Sequence, residues 1–140
     1  MMRDAEKTVG NMIDKLKTAF IGSIDGEGFP TIKAMLQPRK REGIKTIYLT
    51  TNTSSMRVAQ YRKNSHACIY FCDTRFFRGV MLRGTMEVLT DPASKEMIWQ
   101  EGDIMYYPEG VTDSDYCVLK FTATSGRFYS NFKSESFIVE

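Results

Sequence analysis

One histidine, one tryptophan and three cysteines in 140 residues exclude more function classes than the rest of the composition does. With His66 alone, no two-histidine metal helix can be built, and any histidine-based triad must run through this residue. His66 follows Asn64 and Ser65 at a junction between elements, a place for a cap or a surface side chain. The cysteines are odd in number and form no Cys-x-x-Cys pair. Cys68 and Cys72 share one strand face, and with Cys117 they read as reduced thiols rather than as a disulfide or metal framework. No apolar run approaches the ~20 residues that span a bilayer. The first residues, MMRDAEKTVG, are charged where a signal peptide has an apolar core, so the expectation is a cytoplasmic protein with no membrane partner. Charge of one sign is scarce too: 19 basic against 17 acidic residues leave +2, too little to demand nucleic acid. Phosphate-binding and dinucleotide-binding glycine loops are missing. The acids Asp103, Glu109, Asp113 and Asp115 show no paired-carboxylate spacing. Any chemistry is therefore expected to come from a bound organic cofactor, with the protein supplying orientation and electrostatics.

What remains is ordinary and sufficient for one domain over residues 1–140, burying roughly two-thirds of its unfolded surface. Ala5, Val9, Met12, Ile13 and Leu16 form one stripe of a helix over 4–16. Strands are expected at 19–24 and 31–36, joined by the Asp25-Gly26-Glu27-Gly28 turn, then at 44–50, 67–73 and 76–89. Gln37 to Gly43, QPRKREG, reads as a solvated basic turn. The period-two alternation over 80–88 is interrupted at Gly84, which points to a bend or a close backbone approach. Asp91-Pro92 starts a helix expected to reach about Glu101. A loop over 103–115, strands at 116–122 and 126–132, and a polar tail complete the chain. Six or seven short antiparallel strands without a βαβ rhythm imply a small closed or nearly closed barrel, mainly β, with flanking helices.

The segment TIYLTTNTSSMRVAQYRKNSH, 46–66, stands apart from this pattern. A strand opens into six polar residues, and a helix follows from about Ser55 to Lys63, with Val58 and Ala59 inward, Tyr61 nearer the rim and Gln60 in water. Arg57 sits in its first turn, at the positive end of the helix dipole, where a cation is mildly disfavoured. An anion bound at that terminus would account for it, because backbone N–H groups, a serine hydroxyl and a guanidinium all suit a phosphate. A solvated arginine behind an N-cap is the alternative. Lys33, which interrupts the second strand, reads on its own as an edge lysine facing water.

Lys33-Ala34-Met35, Thr50-Thr51, Asn52-Thr53-Ser54-Ser55-Met56-Arg57 and Tyr61-Arg62-Lys63-Asn64-Ser65 together resemble the flavin-binding core of the pyridoxamine 5'-phosphate oxidase-like split-barrel proteins. Tyr107-Pro108-Glu109-Gly110 with Asp113-Ser114-Asp115-Tyr116 is similar to the small general-stress-type branch. The resemblance implies a six-stranded antiparallel Greek-key split barrel, a homodimer, and FMN at the subunit interface. It places Lys33, Ser55 and Arg57 on the FMN phosphate, and Thr50, Thr51, Met35 and the backbone near Leu36 on the ribityl chain and ring edge. Ala34, Met56 and Trp99 complete the cofactor-binding set that it implies; no catalytic residue is assigned and no metal is expected. Met56 stands where the oxidase carries a second basic residue. The oxidase's terminal arginine-and-histidine segment has no counterpart in RFYSNFKSESFIVE. The function implied is flavin-mediated electron transfer to an unidentified small molecule. The alternatives are a non-enzymatic flavin store or sensor, a deazaflavin enzyme, and a pyridoxamine or pyridoxine 5'-phosphate oxidase. A haem module lacks a second histidine, and a nucleic-acid barrel lacks interleaved aromatic and basic residues. The expected dimer rests on aromatic content at Trp99, Tyr106, Tyr107 and Phe128 that a barrel of this size need not bury internally.

Overall fold

The computed structural model describes residues 4–140, so Met1 to Arg3, part of the domain and of the N-terminal segment read above, lie outside the described residues. Helix α1, Ala5–Lys15, is capped by Asp4, whose carboxylate accepts from the Lys7 N–H, and it buries Val9, Met12 and Ile13. A free helix this short is marginal in water. Side chains on neighbouring elements hold it: Arg41 pairs with Asp14 at 2.7 Å, Gln37 donates to the Ile13 and Asp14 carbonyls, and Glu6 accepts from the Ile44 N–H. Gly10 makes room for that latch, since a Cβ there would lie 3.0 Å from the Arg41 guanidinium.

Strands β1 (Thr18–Ile24), β2 (Pro30–Leu36), β3 (Lys40–Glu42), β4 (Thr46–Asn52), β5 (His66–Asp73), β6 (Arg78–Leu89), β7 (Tyr116–Ser130) and β8 (Lys133–Ile138) form one antiparallel sheet. Its order is β2-β1-β5-β6-β7-β4-β3, with β8 added to β7. This is the expected mainly-β architecture with two corrections: there are eight strands rather than six, and the sheet is open between β2 and β3 rather than closed. The basic turn is strand β3, whose charges are spent locally: Arg41 on Asp14, and Glu42 on the Tyr48 hydroxyl. The polar tail is β8, which turns Phe137 and Val139 inward. The two expected C-terminal strands are one fifteen-residue strand.

That long strand splits the barrel. β7 pairs with β6 along its length, while its other edge pairs first with β4 and then with β8. The change of neighbour falls where the β6 register slips: Gly84 faces Ala123, Arg83 faces Ser125, and Thr124 is left as the extra residue of a bulge. There the Ala123 N–H donates to Lys45 O and the Thr124 carbonyl accepts from Val139 N. Gly84 is the close approach foreseen, because a Cβ on it would overlap the Thr122 carbonyl oxygen.

Helix α2 (Met56–Lys63) covers the inner face, where Ile21, Leu49, Ile69, Phe71, Leu82, Leu119 and Phe121 make the main core with α1. Helix α3 (Pro92–Ile98) and two 3-10 turns (Glu101–Met105 and Gly110–Thr112) cover the opposite face of β4 and the first half of β7. Tyr48, Ile98, Tyr107, Tyr116 and Val118 form a second cluster there. Helix α3 stops at Ile98, short of the expected Glu101, and the Asp103 carboxylate accepts from Gln100 N to open the first 3-10 turn. Arg39 clamps that turn with a paired bond to Asp103 and a third to the Ile98 carbonyl. Strand β6 likewise begins later than expected, at Arg78, because Phe77 turns the chain with a φ of 47°.

Candidate functional site

The polar run after β4 is ordered by one carboxylate. Asp115 accepts from Asn52 Nδ2 at 2.9 Å and from Ser54 N at 2.8 Å, and its carbonyl takes the Thr53 N–H. The Asn52 and Ser54 donors hold its carboxyl below the usual aspartate range. Asp113 in turn accepts from Glu109 N and Asp115 N, and buried Lys95 donates to the Asp113 carbonyl. Two of the acids read as scattered loop residues, Asp113 and Asp115, therefore brace the entrance to α2.

Ser55 is the N-cap of α2, with an extended backbone and a hydroxyl that accepts from Val58 N at 3.3 Å. The N–H groups of Met56 and Arg57 find no acceptor among the described residues and are orphans of the first turn. Arg57 is half-buried, Lys33 is exposed, and neither makes a hydrogen bond or ion pair among the described residues. Met56 is 64% exposed.

Helix α2 is oriented by residues that the sequence reading left in water or at the rim. Gln60 turns toward the sheet, where Ser23 Oγ donates to its Oε1 at 2.5 Å and Thr31 Oγ1 lies 3.0 Å from the same oxygen. Tyr61 is buried, not at the rim, and donates to the Gly22 carbonyl at 2.9 Å; burial pushes its phenol far above the ordinary range. Ala59, expected inward, is exposed. The hydroxyls of Ser23 and Thr31 give the only sequence hint of this tie: polar residues at matched positions on either side of the β1–β2 turn.

Register sorts the remaining candidates by face. Opposed residues of an antiparallel pair point the same way, and residues two apart share a side. Lys33 and Met35 lie with Thr31 and Ile21 on the inner side, and Met35 packs against the main core. Ala34 and Leu36 lie on the outer side with Phe20 and Thr18, both exposed. Thr51 faces inward opposite Cys117, whose thiol donates to the Thr51 carbonyl and is raised by burial. Thr50 faces outward opposite Val118. Trp99 caps α3 and packs 5.1 Å edge-on to Tyr116, a phenol that burial lifts to about 12, in the second cluster. Within one chain, then, Lys33, Met35, Thr51, Ser55 and Arg57 belong to the inner side and the end covered by α2. Ala34, Leu36, Thr50 and Trp99 belong to the outer side.

The donor set around the first turn of α2 has the chemistry of a dianion site: two orphan N–H groups, one guanidinium and, on β2, one ammonium. The nearest carboxylate engaged on this loop, Asp115, already has its oxygens bonded to Asn52 and Ser54. No group of three or more His, Cys, Asp or Glu is placed to hold a metal among the described residues. His66 is exposed at the start of β5 on the outer side, opposite Thr85.

Residues 4–139 match the family model described as pyridoxamine 5'-phosphate oxidase like. The fold is similar to a solved Clostridium acetobutylicum protein related to general stress protein 26 of B. subtilis (pyridoxinephosphate oxidase family). That protein is 39% identical, with 99% of this chain and 97% of that one covered and a TM-score of 0.90. A pyridoxamine 5'-phosphate oxidase-related, FMN binding protein from Nostoc punctiforme shares the fold at 9% identity, with a TM-score of 0.70 over 100% of this chain and 99% of that one. A heme binding protein from Mycobacterium smegmatis shares it at 14% identity and a TM-score of 0.79, over 99% of this chain and 59% of that one. No match is found among the curated proteins. With the family model spanning nearly every described residue and a relative at 39% identity over almost the full length, the chain belongs to the pyridoxamine 5'-phosphate oxidase-like family.

Proposed function

We propose that the protein binds FMN and works as a flavin-dependent oxidoreductase on a small molecule. One observation carries this reading: Arg57 stands in the first turn of α2 beside two unsatisfied N–H groups, Lys33 lies on the inner side of β2 that α2 covers, and neither cation has a hydrogen-bond or ion-pair partner among the described residues. A group that neutralised this cluster would be a phosphate ester, and the FMN named for the Nostoc relative ends in one. In this reading Lys33, Ser55, Arg57 and the α2 N–H groups hold the phosphate. Thr50, Thr51, Met35 and the backbone near Leu36 hold the ribityl chain and ring edge. Bound FMN would supply the electron transfer that no side-chain cluster of this chain provides. The haem named for the Mycobacterium relative is the poorer fit, because the lone histidine stands exposed on the outer side, away from the α2 terminus.

The reading includes a second copy of the chain. Of the four aromatic residues first taken as the sign of a dimer, Tyr107 and Phe128 are buried within the subunit at 5% and 6% exposure, Trp99 is half-buried, and Tyr106 is 57% exposed. The outer side of β2-β1-β5-β6 supplies better support. Ile32, Phe20 and Tyr70 are exposed there, and a groove of about 280 Å³ crosses it between Ile24, Ile32, Ala67 and Met81. Contiguous apolar surface of this kind marks association sites, and Ala34 and Leu36 lie on it.

The test is the absorption spectrum of protein supplied with FMN and freed of excess, followed by titration with FMN and riboflavin. Flavin bands retained near ~450 nm, with FMN bound more tightly than riboflavin, are expected. Failure to retain either flavin would end the proposal.

A further inference from the structure

The inner side of β2 and the covering helix meet through three polar side chains, and this contact stands beside both phosphate-binding cations. Ser23 Oγ and Thr31 Oγ1 lie 2.5 Å apart, and Ser23 donates to Gln60 Oε1 at 2.5 Å. Two proton orders satisfy the group: Thr31 donates to Ser23 and Ser23 to Gln60 Oε1, or Ser23 donates to Thr31 and Thr31, 3.0 Å from the same oxygen, donates to it. Ser23 is 3% exposed while Thr31 and Gln60 are half-buried, so the relay is shielded from water at Ser23, where an unpaired group is costly.

Position gives the relay its meaning. Lys33 is two residues beyond Thr31 and therefore on the same side of β2, one pleat away, at about 7 Å. Arg57 is three residues before Gln60 and therefore on the same side of α2, one turn away, at about 4.5 Å of rise. β2 is an edge strand whose only strand partner among the described residues is β1, and five of its seven residues are exposed, Thr31 and Met35 being half-buried. Beside the relay, the β1 ladder, the Tyr61 bond to the Gly22 carbonyl and the packing of Met35 set where its inner side stands relative to α2, and of these only the relay bonds a β2 side chain to the helix among the described residues.

We infer that the Ser23–Thr31–Gln60 relay is a positioning device for phosphate recognition, holding Lys33 on the strand and Arg57 on the helix at the separation one phosphate needs. This rests on the phosphate reading above. Gln60, Ser23 and Thr31 touch no ligand in it; they act through the two cations.

The experiment titrates FMN and riboflavin against wild type, Thr31→Val, Thr31→Ser, Lys33→Ala, the double variant Thr31→Val/Lys33→Ala, and Arg57→Ala. Thr31→Val keeps the shape and β-propensity of the side chain and removes the hydroxyl. It is expected to weaken FMN binding about tenfold, the equivalent of ~1.4 kcal/mol, and to leave riboflavin within about twofold. Thr31→Ser restores FMN affinity. In the double variant the loss stays near that of Lys33→Ala alone, because a residue acting through Lys33 has nothing further to remove. Gln60→Met breaks the relay from the helix side and gives the same FMN-selective loss, which guards against a strand defect peculiar to position 31. Equal losses for both ligands in Thr31→Val, or additive losses in the double variant, would overturn the positioning role. The Arg57→Ala arm separates the two claims. If it is FMN-selective while Thr31→Val affects neither ligand, the relay fails and the phosphate reading stands. If Arg57→Ala itself discriminates nothing, the phosphate reading fails first.

Discussion

Arg57→Ala is the most direct perturbation of the proposed site, and its structural setting makes the expected outcome one-sided. The side chain makes no intramolecular ion pair or hydrogen bond among the described residues, so its removal breaks none of either. It occupies the first turn of α2, a turn without an acidic residue, where a positive charge opposes the helix dipole. Stability should therefore hold or rise by a few tenths of a kcal/mol. A charge-assisted bond to a phosphate contributes roughly 1.5–3 kcal/mol, so FMN affinity should fall about ten- to a hundredfold. Riboflavin carries the same ring and ribityl chain without the phosphate, and its affinity should hardly change. Arg57→Lys should fall between the two, since the charge remains and the planar fork is lost. Calorimetric titration of both ligands, with a thermal melt of each apo variant, reads all of this together. Equal losses for the two ligands, or none for either, would refute the reasoning.

The bulge gives a stability prediction. Gly84→Ala puts a methyl group onto the Thr122 carbonyl. Overpacking against backbone should cost about 2–3 kcal/mol and lower the melting midpoint by about 5–10 °C; an unchanged midpoint would mean the bulge relaxes freely. Asp103, 4% exposed in its side chain and hydrogen-bonded to Arg39, has its carboxyl held below the usual range by that partner. Its contribution is complete above the unfolded value of about 3.9 and is lost as pH falls through the lower folded value. Asp103→Asn should thus destabilise by about 3 kcal/mol at neutral pH, leaving Arg39 buried without its counter-charge, and should flatten the acid limb of the stability curve. Pyridoxine and pyridoxamine 5'-phosphates should be turned over poorly, below about 10⁴ M⁻¹s⁻¹ in kcat/KM, because the segment RFYSNFKSESFIVE carries no histidine; efficient turnover in steady-state assay would restore that activity. Sedimentation at low micromolar concentration should give about twice 16.1 kDa, and Ile32→Glu on the outer side should shift it toward the monomer.

Where hydrophobic alternation was strong, the sequence could be read directly. Helix α1, strands β1, β2, β5 and most of β6 follow from period and turn glycines, and the start of α3 follows from the Asp91 cap. What escaped it were elements stabilised by partners far along the chain. β3 has no apolar face, and Arg41 and Glu42 within it find their uses in Asp14 and Tyr48. β8 looks polar because Lys133, Ser134, Glu135 and Ser136 fill its first four positions, and Phe137 lying over Gly126, with Ile138 exposed beside it, shows which side is buried. The break read at 123–125 holds the bulge residue Thr124 between the core residue Ala123 and Ser125, and the backbone continues through it as one strand. At the site, local spacing revealed the unusual Arg57 but sent Gln60 to solvent. A polar residue on a short helix shows nothing of the two hydroxyls, 37 and 29 positions away, that turn it inward.

These omissions share a cause that bears on function. The open side of this barrel runs between β2 and β3, and β2 is an edge strand that carries Lys33 on one side and exposed Ile32, Ala34 and Leu36 on the other. An edge with apolar side chains and unpaired backbone groups is a liability in an isolated subunit, and proteins blunt such edges or cover them. Lys33 blunts the inner side. On the outer side no described residue of the chain does the same for Ile32, which is 75% exposed. A ligand phosphate on the inner side and a second subunit on the outer side would complete this one strand from both directions. Cofactor binding and assembly would then be linked: each would order β2 for the other, and flavin affinity should rise with protein concentration through the monomer–dimer range. Concentration-independent flavin affinity across that range would separate the two events and remove β2 as their common element.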